Sequence, residues 1–453
     1  MPADASAVPT PPPSLTATPA DDWTALFDRA GTNGWLAADG IYSVAINGKD
    51  GLSSANDDTK TLFFFSDTIL GNASADGKIN RYYGMANHSA ALLSGSAPDP
   101  DQLSFYYGYN ASMATSGRLN LFDQNQWLFD CFAVGNSIYC FAFSQQDWKP
   151  ARIDLIRIPV AKNGTPKFNS FVRTQRISQL LKKLPNFDYA YGMGVLCNTE
   201  SAGVPNPDGY IYIYGYRDNF AAFSQKDLIV SRIHEDDFPN FSKLRYWNGS
   251  DWVDNIESSA LILERVSCEV SVTPITCGPY KGKYMAVYTQ DVQSNRIMYA
   301  IGDSPAGPFD EPVQCYTVPE TGNTATGGAG TLYTYNAKAH PHLSAPGKLL
   351  ISYNVNVNGI DHATNTADYR PRFIELDLLA SEEEIESLRT PATTTSTVTT
   401  APITTAQENS APTSPTTPWL PILAGTVASI AVLGACGGWY LHRRKKRKPS
   451  QFA

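Results

Sequence analysis

Charge is scarce in this 453-residue chain: Asp, Glu, Lys and Arg together make up 17%, and the formal net charge is −8. Six of the positive charges crowd into Arg443–Lys448, and the chain ahead of them sums to −14. Nucleic acid and anionic lipid need a basic footprint, which an acidic body does not offer. A neutral or weakly charged ligand such as a glycan fits it better. Short chemical signatures are missing too: there is no nucleophile elbow, HExxH, P-loop or dinucleotide glycine pattern. Their absence removes the commonest hydrolase, metalloprotease and nucleotide-binding options. No CxxC occurs and no Cys/His set has zinc spacing, so no metal ligands are assigned. The stretch after Met1 has neither a basic nor an apolar region and does not read as a signal peptide. Either a leader has been removed, the gene's start is incomplete, or a later apolar segment doubles as the signal.

That later segment is Trp419–Leu441, 23 residues without a charge. It is long enough to span a bilayer at ~1.5 Å per residue, and interfacial aromatics flank it. The basic run that follows is expected in the cytosol, which puts residues 1–418 outside a cell membrane crossed once. Residues 390–418 hold 20 Thr, Ser or Pro out of 29, too polar to bury a core. The predicted organisation is a flexible segment 1–22, one folded body 23–380, a stalk 381–418, a transmembrane helix 419–441 and a basic tail 442–453. Six Asn-x-Ser/Thr sequons (Asn72, Asn87, Asn110, Asn163, Asn240 and Asn248) matter only if the host glycosylates.

What is plentiful points to strands and turns: 24 Tyr and 20 Phe beside 33 Gly and 31 Pro. Aromatic runs such as TLFFFSDTIL, NSIYCFAFSQ, GYIYIYGYRD, KYMAVYTQD, RIMYAIGDS and KLLISYNVN are separated by turn residues. Only Ile177–Leu184 and Ser381–Leu388 read as helical. A weak internal repeat starts near Asp39, Asn87 or Asp130, Asp188, Glu269 and His340. The predicted fold is all-β, a five-bladed β-propeller, with two stacked sandwiches as the fallback. Six cysteines precede the apolar span, and Cys436 lies in it. In FDCFAVGNSIYCF a tight turn at Gly135-Asn136 sets Cys131 opposite Cys140, making them disulfide candidates; two buried free thiols are the alternative.

Polar residues at the starts of inner propeller strands converge on a central channel, and here they are carboxylate-rich. Asp39 precedes Gly40, Asp67 follows three phenylalanines, and Glu269 stands in the apolar tract SCEVSVTP. Two or three carboxylates around one pocket are the machinery of glycoside hydrolysis, one giving a proton while another activates the nucleophile. We take Asp39, Asp67 and Glu269 as catalytic candidates, and Asp188, Tyr191, His340, His342 and Asn354 as substrate-binding candidates. Each has a plainer reading: a turn Asp-Gly pair at Asp39, a turn cap at Asp67, a structural ion pair at Glu269, a turn residue at Asp188, a core histidine at His340. No cofactor is expected, with Ca²⁺ beside His340 left open.

The tracts FFFSDTILG, YGMGVL, SCEVSVTP and AKAHPHLS…LLISYNVN resemble, in order and over most of 35–376, a family of five-bladed propellers formerly of unknown function. That family includes mycobacterial endo-D-arabinanases. The resemblance implies cleavage of furanosidic linkages in a polysaccharide, with Asp39, Asp67, Glu269 and the AHPHLS histidines in the channel. By analogy with furanosidase propellers more broadly, it implies Asp39 as base, Asp67 as the group tuning acidity and Glu269 as acid. The membrane anchor and stalk depart from a plain secreted enzyme. The rival reading is a stalked propeller that binds a carbohydrate or protein partner without cleaving it; a structural surface protein is a third.

Overall fold

The computed structural model describes residues 13–108, 119–146, 149–218, 225–358 and 362–389. The expected transmembrane helix, basic tail, Cys436, the sequon at Asn110 and the stalk beyond residue 389 lie outside the described residues. No helix among the described residues is long and apolar enough to cross a membrane. Residues 1–392 form one compact unit.

Six antiparallel sheets make up the body. Five of them begin with the strands Tyr42–Ala45, Trp127–Val134, Asp188–Asn198, Ser271–Pro274 and Thr331–Ala339, each followed outward by its successors in the chain. Each of these first strands touches the next, and the circuit is completed by contacts from Lys338 and His340 back to Tyr42 and Ser43. The sixth sheet has three strands, Asn33–Ala38, Thr68–Ala73 and Ile79–Ala86. Four of the five expected repeat starts fall at or near the head of a first strand. The fifth does not: His340 follows the strand Thr331–Ala339 rather than opening it.

Strand alternation explains the aromatic runs. In Lys60–Phe65, Phe63 and Phe65 enter one core with Phe27 and Trp35, while Leu62 and Phe64 enter another with Phe122 and Tyr42. Side chains two apart share a face, so a sheet covered on both sides needs an unbroken apolar run. Each such Phe contributes roughly 1.5–3 kcal/mol by leaving water. The run TLFFFSDTIL is therefore two strands: the chain leaves one sheet at Phe65 and joins the three-stranded sheet at Thr68, with Asp67 at the crossing.

Two helices occur among the described residues, Asp21–Leu26 and Glu382–Arg389. The second meets expectation within the predicted stalk. Ile177–Leu184 does not form a helix; it becomes a 3-10 turn, Ser178–Leu180, and the short strand Leu181–Lys183. Leu181 and Lys183 pair with Ala190 and Asp188, so sheet hydrogen bonds replace the helical ones that the local pattern suggested. The stretch 1–22 contributes structure as well: Ala17–Pro19 pairs with Leu376–Ile374.

The hairpin around Gly135 has the expected register, Val134 opposite Ser137 and Cys131 opposite Cys140. Gly135 takes φ +57°, a left-handed value that costs most residues energy. The disulfide does not form. All six described cysteines are free thiols, and the Cys140 Sγ points at the carbonyl oxygens of Phe129 (3.6 Å) and Phe141 (3.3 Å). Both thiols pack in the core as small apolar groups.

Candidate active site

Asp39 and Asp67 each stand where a strand crosses between the same two sheets. The crossings are stitched by main-chain bonds: the Asp39 N–H donates to the Asp67 carbonyl at 3.1 Å, and the Ser66 N–H to the Asp39 carbonyl at 2.8 Å. Gly40 makes this approach feasible. Its φ is +58°, and a Cβ there would lie 2.9 Å from the Ser66 Oγ. The Asp-Gly turn and the cavity carboxylate are thus one feature, the turn delivering the side chain. Asn354 holds that turn from behind, its Oδ1 accepting the Gly40 N–H at 3.2 Å.

A cavity of about 580 Å³ opens over these residues and is lined by Asp39, Asp67 and Glu269 together. Trp127, Phe129, Phe143, Tyr333 and Tyr335 supply aromatic wall. The Tyr335 hydroxyl donates to Asp39 Oδ2 at 2.6 Å, and the Asn356 amide supports that phenol at 3.1 Å. Asp67 Oδ1 accepts from the Trp127 indole at 2.8 Å and the Asn87 amide at 3.2 Å. Glu269 Oε1 accepts from Asn336 at 2.7 Å. Asp39 Oδ1, Glu269 Oε2 and the Tyr42 hydroxyl are buried without a partner of hydrogen-bond geometry.

Burial and like charge shift all three carboxyls upward. Desolvation, then repulsion from Asp67, raises Asp39 to about 7 against the pull of its tyrosine bonds. Desolvation raises Asp67 too, opposed by Trp127 and Asn87. Desolvation lifts Glu269 to about 8, although the nearby Tyr42 phenol and Lys338 ammonium hold it down. At neutral pH, then, Glu269 keeps its proton and the Asp39–Asp67 pair carries negative charge. A proton donor and an ionised partner in one pocket are the requirements of acid–base catalysis.

The five substrate-binding candidates are not among the residues lining this cavity. Asp188 faces Asp218 across a strand pair, 3.8 Å from the Lys183 ammonium. Tyr191 is fully buried, its hydroxyl 2.6 Å from Ser259 Oγ, because alternation turns it into the core. His340 lies between two serines, Nδ1 2.7 Å from Ser43 Oγ and Nε2 2.7 Å from Ser352 Oγ. Burial drives its pKa well below the usual imidazole value, so it is a neutral core residue. With both ring nitrogens taken by hydroxyls, its surroundings do not supply the oxygen cage that Ca²⁺ prefers. His342 is also sealed, Nδ1 2.8 Å from Asp50 Oδ1 and Nε2 3.1 Å from Thr61 Oγ1. Among the described residues no group of three His, Cys, Asp or Glu could hold a metal. Sequence reasoning missed Tyr335, Trp127, Asn336, Lys338 and Tyr369, whose hydroxyl donates to the Asp67 carbonyl at 2.9 Å. The polar residues interrupting TYNAKA were the available signal.

A family described as "Domain of unknown function (DUF5005)" matches residues 20–380. The chain belongs to the DUF5005 family. No curated protein matches this DUF5005 chain. Among solved structures, a Bacteroides ovatus ATCC 8483 protein described as a candidate hydrolase shares the fold. It is 16% identical with a TM-score of 0.58, over 82% of this chain and 97% of its own. Two further structures are similar at TM-scores below 0.5. The GH43_1 enzyme of Xanthomonas citri has 15% identity and a TM-score of 0.38, over 81% of this chain and 95% of its own. The catalytic domain of the Coprinopsis cinerea GH62 α-L-arabinofuranosidase has 11% identity and a TM-score of 0.37, over 77% and 98%.

Proposed function

We propose that this DUF5005 protein is a glycoside hydrolase that cleaves furanosidic linkages in a polysaccharide, D-arabinan being the polymer its motifs suggest. The observation that carries the reading is three carboxyls, Glu269 buried and Asp39 and Asp67 half-buried and stitched together by main-chain bonds, around one aromatic-walled cavity. Burying like charges together is expensive unless their altered acidity is used. A lectin needs the aromatic walls and amides but not the carboxyl trio, so the binding-only alternative leaves the most costly feature unexplained.

In this reading Glu269, protonated at neutral pH, gives its proton to the leaving glycosidic oxygen. Asp39, with Oδ2 fixed by Tyr335, takes the proton of the attacking water as base. Asp67 does not touch the reacting atoms; its charge regulates how readily Asp39 ionises. The carboxylates suffice for this chemistry without a cofactor. We further propose that the five sheets headed by the touching first strands are the blades of a five-bladed propeller. The DUF5005 domain would then stand outside a cell membrane, anchored by 419–441.

The test is to incubate the chain with arabinan, arabinogalactan and other cell-wall glycans and separate the products by chromatography. Oligosaccharides that disappear with Asp39→Asn and Glu269→Gln support the hydrolase. Binding without release in every case moves the assignment to the stalked lectin.

A further inference from the structure

The strand Thr331–Ala339 breaks a local rule. Its pairing with Lys348–Asn358 slips between Tyr335 and Lys338, and Asn336 there adopts φ +56°. A bulge of this kind re-aims side chains. Here Asn336 turns its amide onto Glu269, while two main-chain N–H groups beyond it donate to hydroxyls of the neighbouring sheet. Ala337 N–H donates to Thr289 Oγ1 at 3.0 Å, and Ala339 N–H to Ser271 Oγ at 2.9 Å.

The bulge also carries Lys338 inward. Its ammonium and the Asp130 carboxylate are 2.8 Å apart, each side chain only 5% exposed. The same ammonium donates to the Val270 carbonyl at 3.2 Å and lies 5.2 Å from the centre of the Tyr42 ring. Asp130 in turn accepts from the Val195 N–H at 2.6 Å and the Cys131 N–H at 2.9 Å. Residues from all five first strands or their leading edges therefore converge on one ion pair, and Val270 is the residue directly after Glu269.

We propose that Lys338 is a positioning residue for Glu269: pinned between Asp130 and the Val270 carbonyl, it fixes the segment bearing this acid and supplies the positive charge the acid faces. The proposal rests on the hydrolase reading for its consequence in catalysis but not for its physical content. The charged and titratable groups facing Glu269 are Tyr42 and Asp39 from the first sheet, Asp130 from the second and Lys338 from the last. Beside its neighbour Cys268 stand Lys226 and Asp218. Among those acting on Glu269, Lys338 is the one cation, and removing it also uncovers the negative charge of Asp130. Both changes make Glu269 hold its proton more tightly.

The titration of Glu269 can be followed without substrate, as the carboxyl band lost in infrared difference spectra between the full chain and Glu269→Gln. In Lys338→Met the midpoint should rise by on the order of one pH unit. Lys338→Arg should stay near the parent, and Asp130→Asn with Lys338→Met, which deletes both charges, should return most of the shift. The alkaline limb of kcat should move with the midpoint. If Lys338→Met does not fold, Asp130→Asn alone, which leaves the ammonium uncompensated beside Glu269, should lower the midpoint, and an unmoved midpoint there overturns the proposal. A midpoint as high in the double variant as in Lys338→Met, one moved just as far by Lys338→Arg as by Lys338→Met, or one unmoved in folded Lys338→Met overturns the proposal. Loss of the hydrolase reading shows up separately, as wild-type chain inactive on every glycan while the midpoint still shifts.

Discussion

Replacing Asp39 by Asn should abolish glycan cleavage and yet raise the melting temperature, by an amount that depends on pH. In the folded chain this carboxyl is lifted from its ordinary 3.8 to about 7. Three units at about 1.36 kcal/mol each give an upper bound of about 4 kcal/mol for keeping it ionised. Part of Asp39 faces the cavity, where water offsets the burial, so about 2–4 kcal/mol is the expected range. The sign follows from the raised value: wild-type stability is whole below about pH 4 and lost as pH climbs toward 7, whereas the amide does not titrate. Unfolding entropy of about 2.1 cal/mol/K per residue, over the domain of residues 20–380, amounts to roughly 0.76 kcal/mol per kelvin. Asp39→Asn should therefore melt about 3–5 °C higher than wild type at pH 8 and alongside it near pH 4. The Asn oxygen can still accept from Tyr335, so no new unpaired phenol confuses the comparison. Calorimetric melts at the two pH values test this. An equal gain at both, or a lower melting temperature at pH 8, would refute the assignment of Asp39 as a carboxylate strained by its site.

Activity should follow a narrow bell, falling below about pH 7 as Asp39 protonates and above about pH 8 as Glu269 ionises. Glu269→Gln should lose the upper limb, and a substrate with an activated aryl leaving group should recover much of the rate; an unchanged profile would remove Glu269 as the acid. Asp67→Asn should abolish activity without lowering the melting temperature, because an amide oxygen still accepts from Trp127 and Asn87 and a carboxyl raised by burial is gone. Retained activity with a large melting loss would make Asp67 structural. Tyr82, 41% exposed and stacked 4.3 Å from the cavity-lining His362, is placed to carry a sugar ring beyond the pocket. Tyr82→Ala should raise KM for polymer several-fold at constant kcat and constant melting temperature. A reductant should leave the melting temperature unchanged, since the described thiols are unpaired; a drop would show a disulfide after all.

The legible part of the fold was whatever local chemistry dictates. The Gly135-Asn136 turn and the aromatic strand runs are set by neighbours a few residues apart; the turn has the expected register and the runs became strands. The three carboxyls that share the cavity were legible for a related reason: a carboxylate inside an apolar tract stands out because burial there is costly. The supporting residues were not. Tyr335 and Asp39 are 296 positions apart, and Lys338 and Asp130 are 208 apart. Nothing near either residue announces its partner. His340 and His342 misled because a histidine beside a proline resembles a ligand, yet here the hydroxyls of Ser43, Ser352 and Thr61 meet their ring nitrogens. The helix expected at Ile177–Leu184 failed because short apolar spacing alone does not outweigh an available sheet edge.

The pairing of Ala17–Pro19 with Ile374–Leu376 bears on how the molecule is made. One edge of the last sheet is synthesised first and its partner more than 350 residues later. During translation the early strand has no mate, so the nascent chain carries an open ladder edge until the far end leaves the ribosome. Such late, long-range closure slows folding and exposes intermediates to aggregation. A nonsense mutation shortly before residue 371 would therefore leave an unsealed chain rather than a slightly shorter protein, and so would removal of the first twenty residues.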